Sequence, residues 1–337
     1  MLCSSTVSED SNFPESAQII IDTNLIVDNP AIKDITYKNL VFKGGGVKGP
    51  AYVGCMEVLE ANGKLAAVEN VAGTSVGSIT AALLAVGFNS AELRQAFVET
   101  NFSSIVEDKG GVIGEGARLE KSFGLHTGHE FIAQLKERIN QGTGNPNITF
   151  KELDALVAKH STKYKHLFII ASNISTGNAD VFSAATTPDV PIWKAVRCSM
   201  SIPILFEPFL LEENFYVDGG IGWNYPIDLF DEENEHGKKI INNESLGFFL
   251  QNPNKADDKV FFKSKVEINS IRSSAAAIVK FMMNSMNDSH ISDGDKARTV
   301  FVNDLNVDPT NFDISTERIE ELMASGQNCM IDFLKEQ

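Results

Sequence analysis

Apolar runs alternate with amphipathic stretches along this chain, the pattern expected of an α/β fold. Residues 39–43, Asn-Leu-Val-Phe-Lys, predict a short buried strand that runs directly into Gly44-Gly45-Gly46-Val47-Lys48-Gly49. Pro50 then stands where a first helical turn tolerates proline, and a helix is expected over 51–61, closed by Asn62-Gly63. A second strand over 68–72 and a second helix over 75–86, ended by Gly87, repeat the arrangement, so two strand–glycine turn–helix units lie back to back. Helical spacing returns at 130–139 and 150–159, and residues 166–172 and 180–183 read as strands around an Asn/Ser/Gly turn. Pro191 opens a helix that runs through Arg197, and Phe215-Tyr216-Val217 is a strand entering Asp218-Gly219-Gly220. Beyond residue 250 the chain reads as polar and helical, over 274–286 and 316–334. Frequent glycine and weak periodicity over 107–128 suggest a surface segment able to act as a lid, and residues 1–12 read as a loose tail.

Gly73-Thr74-Ser75-Val76-Gly77 fits G-x-S-x-G, with a predicted strand before it and a helix after it. A serine on such a turn projects its hydroxyl above the sheet, and the following helix aims its N-terminal dipole at the same point, which favours an alkoxide or oxyanion. The same five residues are also what a plain serine N-cap flanked by packing glycines would give. The glycine run at 44–49 adds weight, because acyl transfer needs backbone N–H donors already aimed at the developing oxyanion. Gly44-x-Gly46-x-x-Gly49, with Glu69 about twenty residues on, also matches a dinucleotide-binding fingerprint. That alternative leaves the Ser75 turn and Asp218 without a purpose.

Serine needs a proton acceptor, and His126, His129, His160, His166, His236 and His290 all read as solvated surface residues. The other candidate is a carboxylate. Asp218 leaves an apolar strand and is followed by two glycines that make room for a neighbouring backbone, a suitable place for a general base, although Asp-Gly alone also signals a simple turn.

Taken together, the loop at 44–49, the turn at 73–77 and Asp218-Gly219, in that order, resemble the patatin-like phospholipases. Two further stretches are similar to that family: 195–203 with Phe206-Glu207-Pro208, and Asn224-Tyr225-Pro226. The resemblance runs over about residues 40–229, with an echo in 313–334. It implies a three-layer sandwich with a central, mostly parallel sheet and helices on both faces, divided as a lead-in over 1–35, a catalytic domain over 36–235 and a C-terminal helical extension over 236–337. It implies Ser75 as nucleophile and Asp218 as base of a metal-free dyad, acting on acyl esters of phospholipids or neutral lipids. The oxyanion donors would come from Gly44, Gly45, Gly46, Val47 and Val76. Lys48, standing where arginine is frequent in the family, and Arg197 are candidates for a phosphate head group, or for structural ion pairs.

Composition narrows the partners. Lys and Arg total 29 against 45 Asp and Glu, a formal charge of −16, which argues against nucleic acid and against simple electrostatic docking on anionic membranes. Membrane contact, where it occurs, is expected to be peripheral, through apolar contacts or a local basic patch. No cofactor is expected and no metal, since Asp293-Gly294-Asp295 lacks the remaining ligands of a calcium loop. Cys3, Cys55, Cys198 and Cys329 are too scattered for a zinc site or a disulfide framework, so free thiols are expected. With no secretory signal in the sequence, cytoplasmic synthesis is expected, with export by a signal-independent route left open. A second functional class also stays open: a binding module that is inactive, or shut until a protein activator binds.

Overall fold

The computed structural model describes residues 23–106, 124–252 and 291–337, with 277, 278 and 281 besides. The tail expected over 1–12, most of the lid expected over 107–128, most of the helix expected over 274–286, Cys3 and His290 lie outside the described residues.

Two short 3-10 helices, Thr23–Leu25 and Pro30–Asp34, precede strand β1 (Asn39–Phe42), helix α1 (Pro50–Ala61), strand β2 (Asn70–Thr74) and helix α2 (Val76–Ala85). Helices α3 (Ser90–Glu99) and α4 (Phe102–Ile105), strand β3 (Gly124–His126), and helices α5 (His129–Thr143) and α6 (Phe150–Lys159) follow. Then come β4 (His166–Asn173), β5 (Asn178–Phe182), α7 (Ile192–Ser199), β6 (Ile204–Phe206), β7 (Phe209–Leu211), β8 (Asn214–Asp218) and α8 (Gly220–Trp223). The last part contains a small hairpin, β9 (Glu232–Glu233) with β10 (Lys239–Ile240), then β11 (Ser245–Gln251), α9 (Asp293–Ala297), β12 (Thr299–Asn303) and α10 (Thr316–Lys335).

Eight strands form the central sheet in the order β12-β11-β1-β2-β4-β8-β7, with β5 also paired to β4. The run from β12 to β4 is parallel, whereas β5, β8 and β7 are antiparallel to their neighbours. Alternation along the strands supplies both faces. Leu40, Phe42, Val71, Leu246, Phe248, Val300 and Val302 bury into the larger core, while Val41, Ala72 and Phe249 bury on the opposite face with Tyr225 and Ile227. The result is an α/β three-layer sandwich with a mostly parallel sheet.

Two expectations change here. The segment 236–337 is not a helical extension, because β11 inserts between β12 and β1 and completes one side of the sheet. The strand expected at 68–72 instead runs to Thr74, since Gly73 and Thr74 keep their ladder partners Ile169 and Ile170, and α2 starts only after Ser75.

On one flank α10 packs along α1 through a reciprocal pair of glycines. A Cβ on Gly54 would stand 1.8 Å from the Met323 carbonyl oxygen, and one on Gly326 would stand 1.9 Å from that of Ala51. Neither backbone can yield without separating the helices, and overpacking of this kind costs about 1–3 kcal/mol. Gly326→Ala should therefore lower the unfolding free energy by an amount in that range, read as a fall in the urea midpoint. A midpoint equal to that of wild type would show that the two helices are not held at this distance.

Candidate active site

The site lies where β4 changes partner. Along one edge β4 pairs with β2 up to Thr74 opposite Ile170, and β8 takes over at the next position with Asp218 opposite Ala171. Because β5 pairs with Ile169, Ile170 and Ala171 on the other edge, β2 and β8 occupy the same edge and meet end to end. Consecutive positions along a strand are about 3.3 Å apart, so Ser75, the residue after Thr74, and Asp218 confront each other across this junction.

Ser75 has φ 54° and ψ −127°, a conformation costly for a residue with a side chain and one that persists only when its surroundings impose it. The flanking glycines let the neighbours close in. A Cβ on Gly73 would stand 2.2 Å from the Gly77 carbonyl oxygen, and one on Gly77 would stand 2.3 Å from that of Phe42. Asp218 is seated in the same way: a Cβ on Gly219 would stand 2.2 Å from the Ile170 carbonyl oxygen, so only glycine lets β8 reach this point on β4.

Both side chains are buried, Ser75 and Asp218 each at 1% exposure. Asp218 Oδ1 accepts the Gly220 N–H at 2.8 Å, while Oδ2 is buried without a hydrogen-bond partner among the described residues. Burial pushes the carboxyl up to about 6, against the nearby Ser75 hydroxyl and the Gly220 N–H, which both hold it down. The hydroxyl is thus close enough to stabilise the carboxylate, yet Ser75 Oγ points to Met200 Sδ at 3.8 Å. Reactive hydrogen bonds are often loose before substrate binds.

The residues proposed as oxyanion donors divide into two groups. Gly44 N–H donates to the Asn224 carbonyl at 3.2 Å and Val47 N–H to the Pro309 carbonyl at 3.1 Å, so these two amides are already engaged. Those of Gly45, Gly46 and Val76 have no acceptor among the described residues. Gly44 nevertheless lies against the site, because a Cβ there would stand 3.1 Å from that of Ser75. Val76 opens α2, whose N-terminal dipole points at the junction.

Lys48 and Arg197 do not present a charge for a head group. Lys48 is buried and ion-paired with Asp304, just past β12. Arg197 is buried, donates to Ser201 Oγ and to the carbonyls of Thr127 and Glu207, and lies over the rings of Phe206 and Phe209. Burial lowers its pKa to about 10, which leaves it charged at neutral pH. A phosphate would have to displace these partners, so the head-group expectation gives way to a structural ion pair for Lys48 and a backbone clamp for Arg197.

His126 also differs from expectation, being buried in β3 against the edge of Phe206. Among the described residues the side-chain and amide N–H hydrogen bonds of Ser75 and Asp218 run to Met200, Ser199, Ser201 and Gly220. His166 pairs with Asp154, but the β2–β4 register puts it opposite Asn70, roughly 13 Å along the strand from Ile170. Asp295 of the Asp-Gly-Asp stretch pairs with Arg298. Cys55, Cys198 and Cys329 are free thiols. Among the described residues no helix is long and apolar enough to cross a membrane.

Sequence reasoning overlooked the end of α7. Ser199, Met200 and Ser201 all contact the junction: Ser75 N–H donates to Ser199 Oγ at 2.8 Å, and Asp218 N–H to the Ser201 carbonyl at 2.8 Å. Only the general likeness of 195–203 to a known family pointed there.

A glycine-rich loop, a serine on a strained strand-to-helix turn and an aspartate brought to it by an antiparallel strand thus meet at one point of an α/β sheet. The chain belongs to the patatin-like phospholipase family, which residues 40–231 match. Among its relatives, protein R571 of Acanthamoeba polyphaga mimivirus is 28% identical over 298 residues, covering 88% of this chain and 93% of its own. The probable lipid hydrolase 463L of Invertebrate iridescent virus 6 is 32% identical over 204 residues, covering 59% of this chain and 65% of its own. The heterodimeric ExoU–SpcU complex from the type III secretion system of Pseudomonas aeruginosa shares the fold, with a TM-score of 0.55 at 20% identity over 90% of this chain and 52% of that one. The chain thus spans about half of that solved structure and just under two thirds of 463L.

The Lys48–Asp304 pair ties the glycine-rich loop to the segment after β12, and removing one partner of a buried pair costs about 3–5 kcal/mol. Lys48→Met should therefore lower the unfolding midpoint and reduce hydrolysis of a soluble ester and of phospholipid by the same factor. A loss confined to phospholipid would restore Lys48 to the head group.

Proposed function

We propose that this protein is a lipid acyl hydrolase that cleaves glycerophospholipid acyl esters by a Ser75–Asp218 dyad through an acyl-Ser75 intermediate. The observation that carries the reading is the end-to-end meeting of β2 and β8 on β4, which leaves one hydroxyl close to one poorly solvated carboxyl in a buried site.

In this reading the Ser75 hydroxyl turns from Met200 to Asp218 Oδ2 when substrate enters. Its proton passes to the carboxylate as Oγ bonds to the ester carbonyl carbon, and the oxyanion is met by the Gly45, Gly46 and Val76 amides. The ester C–O bond then breaks, and Asp218 returns the proton to the departing alkoxide. Water attacks the acyl-serine by the same steps, releasing the fatty acid and restoring Ser75. One carboxyl serves as base and then as acid because its pKa, raised to about 6 by burial, lies near the working pH.

A partner-gated form of the same activity is favoured by a second observation: at 1% exposure Ser75 and Asp218 are closed off, and two of the amides in the glycine-rich loop are engaged by Asn224 and Pro309. In this form a protein activator opens the site to lipid. Turnover that rises when cell lysate is added to purified enzyme supports gating, and turnover equal with and without lysate supports a self-sufficient enzyme.

Ser75→Ala should abolish release of fatty acid from phosphatidylcholine, and Asp218→Asn should reduce kcat by at least a hundredfold, on the order expected for loss of a general base. An Asp218→Asn variant retaining a third of the wild-type rate would remove the dyad. The base acts ionised, so kcat should fall as pH drops through about 6. Stability runs the other way: a carboxyl raised from 3.8 to about 6 by folding destabilises the protein once it is charged, by about 2 kcal/mol between pH 4, where the unfolded carboxyl is already more than half ionised, and pH 8. Asp218→Asn should therefore melt higher than wild type at pH 8 and lose that advantage near pH 4. A variant that melts lower at pH 8 would show that the buried charge is not a source of strain.

A further inference from the structure

We infer that Ser199 is a positioning residue that fixes the orientation of Ser75 at the junction between β2 and β8; the inference rests on Ser75 being the nucleophile. Where one strand leaves β4 and another arrives, the regular ladder cannot satisfy every backbone group. Ser199, the last residue of α7 and fully buried, meets three of them. Its hydroxyl accepts the Ser75 N–H at 2.8 Å and donates to the Ile170 carbonyl at 2.6 Å, and its own carbonyl accepts the Gly219 N–H at 3.3 Å. A hydroxyl has one proton to give. With that proton committed to Ile170, the oxygen can only accept from Ser75, so the direction of the bond is fixed.

The consequence for the nucleophile is specific. Ser75 holds a positive φ, and relaxation of that angle would swing its N–H about the N–Cα bond. Anchoring the N–H to the end of α7 opposes that relaxation. Two residues on, the Ser201 carbonyl anchors the Asp218 N–H at 2.8 Å, so the same helix end holds the backbones of both reacting residues. Arg197 holds Ser201 Oγ and the carbonyls of Thr127 and Glu207, which stiffens this helix end from behind. Ser199 touches neither the Ser75 hydroxyl nor the Asp218 carboxyl, so its effect is on geometry alone.

The test compares full-length wild type, Ser199→Ala and Ser245→Ala by three readouts: fluorophosphonate labelling of Ser75, kinetics on a soluble ester, and melting temperature. Ser245 is a buried hydroxyl that accepts from Asn39 at the start of β11, the end of the sheet away from Ser75, and so reports the cost of losing a buried hydroxyl alone. For Ser199→Ala, kcat and the labelling rate should fall together by about 10- to 100-fold, with KM and the acid midpoint near 6 unchanged, because a misplacement of the nucleophile of about 1 Å can cost as much. Ser245→Ala should lose thermal stability while its kcat stays at the wild-type value. Ser199→Ala protein that is labelled and turns over within twofold of wild type overturns the role of Ser199. A fall in rate that matches only the unfolded fraction, as read from melting, overturns it equally. Wild-type protein in which Ser75 resists labelling removes the nucleophile itself and with it the basis of the inference, an outcome distinct from both.

Discussion

The structure depends on a change of partner along one edge of β4. Strand β2 leaves at Ile170 and β8, running the opposite way, arrives at Ala171, so the ends of two strands from distant parts of the sequence are pressed together inside a sheet. Such a junction breaks the regular ladder and needs glycine at Gly73, Gly77 and Gly219, where a neighbouring backbone already occupies the space of a Cβ. It also needs hydrogen-bond partners from outside the sheet, which the end of α7 supplies. The backbone strain at Ser75 and the unpartnered Oδ2 of Asp218 are both products of this arrangement.

Support for the glycine-rich loop comes from the far end of the chain. Pro309 takes the Val47 N–H, Asp304 takes the Lys48 ammonium, and both follow β12, the outermost strand of the parallel side. The described residues after 236 are thus part of the site's foundation, linked to it through β11, β12 and the α1–α10 glycine contact. In the proposed reaction the buried Asp218 carboxyl costs stability when ionised, yet has to be ionised to take the Ser75 proton. This is the trade expected where folding and chemistry compete for one residue.

Much of the site was legible because its signals are local. Glycines two positions either side of Ser75, a glycine run after a strand, and Asp-Gly-Gly after another are readable in windows of five or six residues. What joins them is not, since nothing near Asp218 in the sequence says that β8 will continue the edge that β2 vacates. Ser199 carries no signature, because a buried hydroxyl that bridges two backbone groups looks like any helical serine. Lys48 was ambiguous for the same reason: its partner Asp304 stands 256 residues away. His126 was read as solvated because three-residue strands such as β3 leave too short a pattern to reveal burial. The strand β11 was the avoidable omission, since Ser-Leu-Gly-Phe-Phe-Leu-Gln is a continuous apolar run of strand length, obscured by the polar stretches on either side.

The proposed reaction turns on one covalent event, acylation of Ser75. Rapid-quench mass spectrometry of the protein during turnover of phosphatidylcholine should find a single acyl chain bonded to the peptide that contains Ser75, appearing before the free fatty acid and decaying as it accumulates. Steady release of fatty acid with no acylated protein at any time, or an acyl chain on a different peptide, would contradict it.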